Sequence, residues 1–416
     1  MAGLDQTPSG MRTHIGFFGR TNSGKSSIIN ALVGQEVSIV SDVAGTTTDP
    51  VYKAMELSPI GPVLLIDTAG VDDEGELGSI RVRKTESVVG MCDLAVVIFS
   101  GEPDDTGYER ELISKLEDAG IPTVTVLNKI DIYGDMAPAI SARIGDTLSS
   151  RVAGDSFRST QVSHRPIDIA LVSAVTGEGI DELRRRITDC VSDIPEPTIL
   201  HGLVKPGDLV MLVMPQDKQA PKGRLILPQV STLRELLDTH ACTMCVTPEQ
   251  LELSLGMLDK PPGLIITDSQ VFDYVYERKP EESKLTSFSV LYAGLKGDVN
   301  TYIAGAGAIS GLKPGARVLI AESCSHAPLE EDIGRVKIPK LIEKRVGGRI
   351  EVSVAAGKDF PDDLSGYDLI VQCGGCMVNR RQIMQRVRAA MDQGVPITSY
   401  GICIAYLKGI LDRITI

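Results

Sequence analysis

The run Gly19-Arg20-Thr21-Asn22-Ser23-Gly24-Lys25-Ser26 follows an apolar segment, His14 to Phe18, and leads straight into a helical pattern, Ser27 to Leu32. No other stretch restricts the fold as strongly. Glycines at its first and sixth positions let successive backbone N–H groups curl around phosphate at a helix N-terminus. The lysine reaches the β- and γ-phosphates, and the Ser26 hydroxyl suits a Mg²⁺ ligand. Such a loop needs a buried strand before it and a helix after it, so it predicts an α/β domain on a largely parallel sheet. Asn22, Ser23, Gly24, Lys25, Ser26 and Ser27 are the expected phosphate-binding set.

Three further segments follow in the order such a domain requires. The strand-like Val63 to Ile66 delivers Asp67-Thr68-Ala69-Gly70, the form of an acidic motif that holds Mg²⁺ through water and senses the γ-phosphate. Val124 to Leu127 lead into Asn128-Lys129-Ile130-Asp131, where a carboxylate can accept from both N1 and the 2-amino group of guanine and so select GTP over ATP. Ser173-Ala174, after the apolar Ile169 to Val172, completes the base pocket. GTP and Mg²⁺ are the expected ligands, and Lys25, Asp67 and Gly70 the candidate catalytic groups. The helix-like Ile180 to Cys190 and the breaker Ile194-Pro195-Glu196-Pro197 close a first domain over residues 1–197.

At 416 residues the chain is too long for one core, so two to three domains are expected. The formal charge of −13 argues against nucleic acid and anionic membrane surfaces, both of which demand a basic face, and leaves proteins as partners. The longest apolar runs, such as Leu94 to Phe99, fall far short of the roughly 20 residues of a bilayer span. The N-terminus lacks a secretory pattern, so a cytoplasmic protein is expected, with its eight cysteines as thiols.

Residues 198–275 read as strand (Leu209 to Met214), helix (Gln229 to Thr239), strand (Ala241 to Val246), helix (Pro248 to Leu255) and strand (Leu264 to Thr267). So small a βαβ unit buries little core alone, and pairing with a second copy solves that problem; a homodimerisation module is expected. Its Cys242-Thr243-Met244-Cys245 has metal or redox spacing, but no second half of a zinc site lies near, and packed thiols are expected.

Residues 276–416 alternate again: strands at Ser287 to Tyr292, Ala316 to Glu322, Ile350 to Val354, Leu369 to Gln372 and Pro396 to Ser399, with helices at Asp298 to Ser310, Asp332 to Glu343 and Asn379 to Met391. This implies a second parallel sheet with ligands outside the carboxyl ends of its strands. Cys324, Cys373 and Cys403 each follow an expected strand end, so all three are expected along one edge. Cys373-Gly374-Gly375-Cys376 offers two sulfurs within one turn and Cys324 a third, a soft donor set suited to an iron–sulfur cluster. Cys403 reads as a packed thiol.

The nucleotide motifs resemble the Era and TrmE-like branch of the translation-factor class of P-loop GTPases. That resemblance implies that Thr47, within Gly45-Thr46-Thr47-Thr48, ligates Mg²⁺, and that Asn22 coordinates K⁺. Val71 stands where Ras-like proteins carry the glutamine that orients water, which implies slow intrinsic hydrolysis.

The pattern Cys324-Ser325-His326 with Cys373-Gly374-Gly375-Cys376 resembles the iron–sulfur signature of the HydF family, the GTPase maturation scaffolds of FeFe-hydrogenase. The likeness covers nearly the whole chain in domain order. It implies a 4Fe-4S cluster on Cys324, Cys373 and Cys376 and a transient 2Fe precursor as cargo. Apo-FeFe-hydrogenase and two radical-SAM maturases are the partners it implies. The family places a histidine directly before the CGGC run, where this chain has Gln372, so the fourth ligand is His326, an exchangeable water or an exogenous group. Two other readings are a ribosome- or tRNA-associated Era-like GTPase with structural zinc, and a redox-sensing GTPase cycling Cys242 and Cys245.

Overall fold

The computed structural model describes residues 7–34, 41–43, 50–70, 85–101, 107–149, 168–194, 198–215, 225–323, 332–357, 359–375 and 377–415. The chain divides into two compact units, Met1–Pro195 and Glu196–Ile416.

The first unit is built on a seven-stranded sheet. Its strands are β1 (Thr13–Gly19), β2 (Ser41–Val43), β3 (Val51–Leu57), β4 (Gly61–Asp67), β5 (Leu94–Phe99), β6 (Thr123–Leu127) and β7 (Ile169–Leu171), in the order β2-β3-β4-β1-β5-β6-β7. β1 and β4 to β7 run parallel, while β2 and β3 form an antiparallel flank. Every residue of β5 is buried, as expected for a parallel strand covered on both faces, which is why it reads as an unbroken apolar run. α1 (Lys25–Val33) and α4 (Ile180–Ser192) supply Ile28, Leu32, Leu183 and Ile187 to the core on one face. α2 (Gly107–Asp118) and α3 (Ala137–Ser149) supply Leu112, Leu116, Ile140 and Ile144 to the other. Strand order reverses at β1, so the crevice at its carboxyl end is where a ligand belongs in an open α/β sheet.

The second unit holds two four-stranded sheets, parallel throughout. The middle sheet comprises β8 (Leu209–Val213), β9 (Cys242–Val246), β10 (Leu264–Thr267) and β11 (Lys284–Ser287), in the order β11-β10-β8-β9. Its helices are α5 (Leu227–Asp238), α6 (Leu251–Gly256) and α7 (Phe272–Arg278). Ala405 and Ile410, from near the end of the chain, pack into the core of this sheet, and Thr415 N–H donates to the Leu285 carbonyl at 2.8 Å.

Ser287 to Tyr292, expected as a strand, is instead the entry to α8 (Phe288–Lys296). The Ser287 hydroxyl caps it by accepting from the Val290 N–H, and Phe288, Val290, Leu291, Tyr292, Ala293 and Leu295 are all buried. A helix buried on every side carries no polar stripe, so its short apolar run cannot be told from a strand by periodicity.

α9 (Val299–Gly307) then leads to the last sheet, β12 (Arg317–Glu322), β13 (Glu351–Ala356), β14 (Leu369–Gln372) and β15 (Ile397–Ser399), ordered β13-β12-β14-β15. α10 (Ile338–Val346), α11 (Arg380–Asp392) and α12 (Tyr400–Leu407) complete it. Cys403, expected at the ligand edge of this sheet, lies inside α12 with no exposed surface. Burial pushes its thiol up to about 12, so it is a packed thiol and no part of that edge.

Candidate functional site

β1 ends at Gly19 and α1 begins at Lys25, and the turn between them is held open by backbone geometry. Gly24 takes φ +90°, and a Cβ there would stand 2.2 Å from the Asn128 side-chain amide. No other residue fits without displacing a base-pocket side chain. Lys25 is buried, and its Nζ donates to the Gly19 and Arg20 carbonyls at 3.0 and 2.9 Å, which folds the ammonium over the loop. The Ser23 hydroxyl is buried and makes no hydrogen bond among the described residues, an orphaned donor inside the phosphate loop. Asn22 is exposed with φ 60°, in the left-handed region that asparagine tolerates.

β4 brings Asp67 beside this loop, where the Ser26 hydroxyl donates to its carboxylate at 2.5 Å. These are the two groups expected to hold Mg²⁺, one directly and one through water. The Thr68 hydroxyl donates to the Phe17 carbonyl at 2.7 Å and fastens the acidic motif to β1. Gly70 lies so close to the phosphate loop that a Cβ would meet the Thr21 Cα at 2.5 Å. A segment this close can register a change in the loop's contents. Thr47 and Val71 lie outside the described residues.

The base pocket is assembled by short polar contacts. The Asn128 amide donates to the Ser23 carbonyl at 3.0 Å and accepts from the Ala174 N–H at 3.2 Å, joining three loops. The Ser173 hydroxyl donates to one Asp131 oxygen at 2.5 Å, and the Thr176 N–H donates to Ser173 at 3.1 Å, so the carboxylate is oriented. Lys129 takes φ 64° between them. Asn22, Ser23, Gly24, Lys25, Ser26, Asp67, Gly70, Asn128, Lys129, Asp131, Ser173 and Ala174 therefore gather around the carboxyl edge of one sheet; Ser27 lies in the exposed first turn of α1. The motifs do not reveal the pair Arg20–Glu109, a fork of 2.7 and 3.1 Å bonds that anchors the phosphate loop to α2. Glu109 is buried but reads in sequence as an ordinary charged helix residue.

At the last sheet, β12 and β14 are neighbours, and Cys373 follows β14 with its N–H bonded to the Ala321 carbonyl at 2.9 Å. Its sulfur accepts from the Ser323 N–H at 3.1 Å and contacts the Ser323 hydroxyl at 3.1 Å and the Gln372 amide at 3.7 Å. The sulfur is thus held in place by polar contacts on two sides. Gln372, buried in the position of the family's histidine, accepts from Arg386 at 3.1 Å.

The Arg386 guanidinium is 8% exposed and also donates to the carbonyls of Glu322 and Gly357. Among the described residues no carboxylate pairs with it. Its pKa is pulled below the ordinary guanidinium value by burial, partly offset by Cys373 and Tyr302. Tyr302 is raised, first by burial and then by Cys373. Lys296, also buried, donates to the Val378 carbonyl at 3.1 Å. A buried guanidinium such as Arg386, with no carboxylate partner among the described residues, suits a site whose occupant is anionic, as a thiolate-bound cluster is. Cys324, His326 and Cys376 lie outside the described residues. Nothing in the pattern of α11, with arginines at 380, 381, 386 and 388, singles out Arg386.

Three family models match. Residues 14–129 match a 50S ribosome-binding GTPase model, 199–297 the hydrogen maturase F dimerization domain and 300–415 the hydrogen maturase F tetramerization domain. Among curated relatives, GTPase Der of Wolinella succinogenes is 30% identical over 187 residues, 44% of this chain and 36% of its own length. The tRNA modification GTPase MnmE of Paraburkholderia xenovorans is 39% identical over 135 residues, 32% of this chain and 28% of its own length. The chain thus spans about a third of either relative.

Solved structures with a similar arrangement include a probable GTP-binding protein engB (21% identity, TM-score 0.33, 44% of this chain and 100% of that one). Another is an Aquifex aeolicus Era variant bound to GDP and aluminium fluoride (18% identity, TM-score 0.34, 66% of this chain and 100% of that one). No helix among the described residues is long and apolar enough to cross a membrane. Two of the three matched models carry one family name and together take in more than half of the sequence, while the third covers the GTPase core around Lys25, so the chain belongs to the hydrogen maturase F family of hydrogenase-maturation GTPases.

Proposed function

We propose that this chain is a GTP-hydrolysing scaffold that carries a 2Fe precursor of the FeFe-hydrogenase active site and delivers it to the apo-enzyme. The observation that carries the reading is Cys373, at the carboxyl edge of a parallel sheet among hydrogen-bond donors and beside a buried guanidinium that has no carboxylate partner among the described residues. Cys324, Cys373 and Cys376 would hold a resident 4Fe-4S cluster, with His326, water or an exogenous group at the fourth position. Such a cluster, when bound, supplies an electron-rich anchoring point for the cargo. Ser323 and Gln372 orient the Cys373 sulfur, and Arg386 balances its charge.

In the first unit Lys25 and the loop amides bind the phosphates of GTP. Ser26, Asp67 and Thr47 would hold Mg²⁺, and Asp131 reads guanine. Asn22 would place K⁺ where its charge can substitute for an arginine finger. Hydrolysis serves to reset contacts with apo-hydrogenase and two radical-SAM maturases, in an oligomer within the cytoplasm.

Anaerobic reconstitution followed by iron and sulfide analysis, together with activation of apo-hydrogenase, tests the proposal. The intact chain should bind about four irons, the content of the proposed cluster, and activate the enzyme. A Cys373→Ser variant that still does both defeats the carrier reading.

A further inference from the structure

Gln372 ends β14 fully buried, and the fold allows its side-chain amide one orientation. Arg386 carries donors and no acceptor, so the Gln372 atom that meets its guanidinium at 3.1 Å is the carbonyl oxygen. The amide nitrogen is thereby turned toward the next residue. It lies 3.2 Å from the Cys373 carbonyl, 3.7 Å from the Cys373 sulfur and 3.3 Å from the Ser323 hydroxyl. Arg386 is itself fixed from several sides. It donates to the carbonyls of Glu322, the last residue of β12, and of Gly357, directly after β13, and its guanidinium lies 5.1 Å from the Phe360 ring centre. One planar fork therefore gathers the carboxyl ends of three neighbouring strands, and of its acceptors among the described residues Gln372 alone is a side chain. A lysine there would keep the charge but lack the fork.

We propose that Gln372 acts as a hydrogen-bond donor to the Cys373 sulfur that raises the reduction potential of the cluster held there, and that Arg386 is a positioning residue acting through Gln372. The inference rests on the cluster reading above and deepens it. The residue that stands in place of the family's histidine serves the site without ligating iron: its oxygen is occupied by Arg386, and its nitrogen offers hydrogens and no lone pair. Hydrogen bonds to the sulfurs are among the interactions that set a cluster's potential, because they stabilise the reduced form, which carries more negative charge. A locked amide gives the same donor in every molecule, whereas a free one would also turn its oxygen to the sulfur. Arg386 decides which of the two the sulfur meets.

Anaerobic reconstitution of the full chain, iron analysis and a dithionite titration followed by electron paramagnetic resonance test this. Gln372→Met removes the donor without adding charge and should lower the midpoint potential while about four irons stay bound. Arg386→Lys keeps a cation beside the site and should lower the potential by the same amount. The double variant should fall no further, because both substitutions remove one contact. Gln372→Glu, of the same shape and still an acceptor for Arg386, should load iron and also titrate below the unaltered chain. A loaded chain whose potential ignores Gln372→Met and Gln372→Glu overturns the inference and leaves the cluster reading standing; additive shifts in the double variant overturn the role of Arg386. An unaltered chain that binds no iron defeats the cluster reading and this inference with it. A second measurement needs no metal: in the iron-free chain, Arg386→Lys should quicken amide hydrogen exchange at Ser323, Gly357 and Cys373, and unchanged exchange there means that Arg386 positions nothing.

Discussion

Both sites sit at the carboxyl ends of parallel strands, yet one is closed upon itself and the other carries an unanswered charge. In the GTPase unit three acidic groups at or beside the site each have a polar partner: Asp67 with Ser26, Asp131 with Ser173, Glu109 with Arg20. That site is preorganised, and its ligand arrives to find donors already aimed. At the last sheet Glu322 is satisfied by Arg335 at 2.6 and 2.9 Å, but among the described residues Arg386 meets carbonyl and amide oxygens and the Phe360 ring, and no carboxylate. The difference teaches that the first site satisfies its polar groups internally, so a bound nucleotide and Mg²⁺ take over contacts that Lys25 and Ser26 make within the loop. The second depends on what binds there to settle its charge.

The largest expected effect separates the two sites outright. Lys25→Ala should lower GTP turnover by about a hundredfold or more, as loss of a transition-state contact does, and leave iron content unchanged. A parallel fall in iron would show that the sites are not independent. Cys373→Ser is the mirror experiment: iron uptake should be lost while GTP turnover stays within twofold, and retained iron would remove the asymmetry drawn above.

Gly24→Ala probes the closed site through its packing. The added methyl meets the Asn128 amide and the left-handed backbone at once, so a loss of about 1–3 kcal/mol in thermal stability and weaker guanine binding are expected, read by melting and nucleotide titration. Unaltered melting and binding would mean the loop is softer than its hydrogen bonds suggest. The smallest effect is ionic: K⁺ should raise turnover several-fold over Na⁺ at equal ionic strength, and Asn22→Ala should level the two salts. Equal rates in the unaltered chain exclude a potassium site at Asn22.

The nucleotide site was legible because its chemistry is local in sequence. The spacing from Gly19 to Ser26, Asp67 to Gly70 and Asn128 to Asp131 each encodes a loop shape directly, and each lies after an apolar strand. The assignment of Ser287 to Tyr292 to a strand failed because a helix enclosed by core loses the polar face that marks it. Cys403 was placed at the sheet edge from its distance past β15, but α12 starts at once and turns the thiol inward.

The sequence by itself determined that this chain holds a GTPase domain ahead of two α/β modules, and that thiols stand near strand ends. Backbone loops and apolar periodicity depend only on neighbours along the chain. Tertiary structure alone decided that Arg386 lies under Cys373, that Glu109 anchors the phosphate loop, and that the Gln372 amide is turned toward the Cys373 sulfur. These are matters of burial and of contacts between residues tens of positions apart. Whether a charged or apolar side chain is buried, paired or exposed is set by what the fold brings against it.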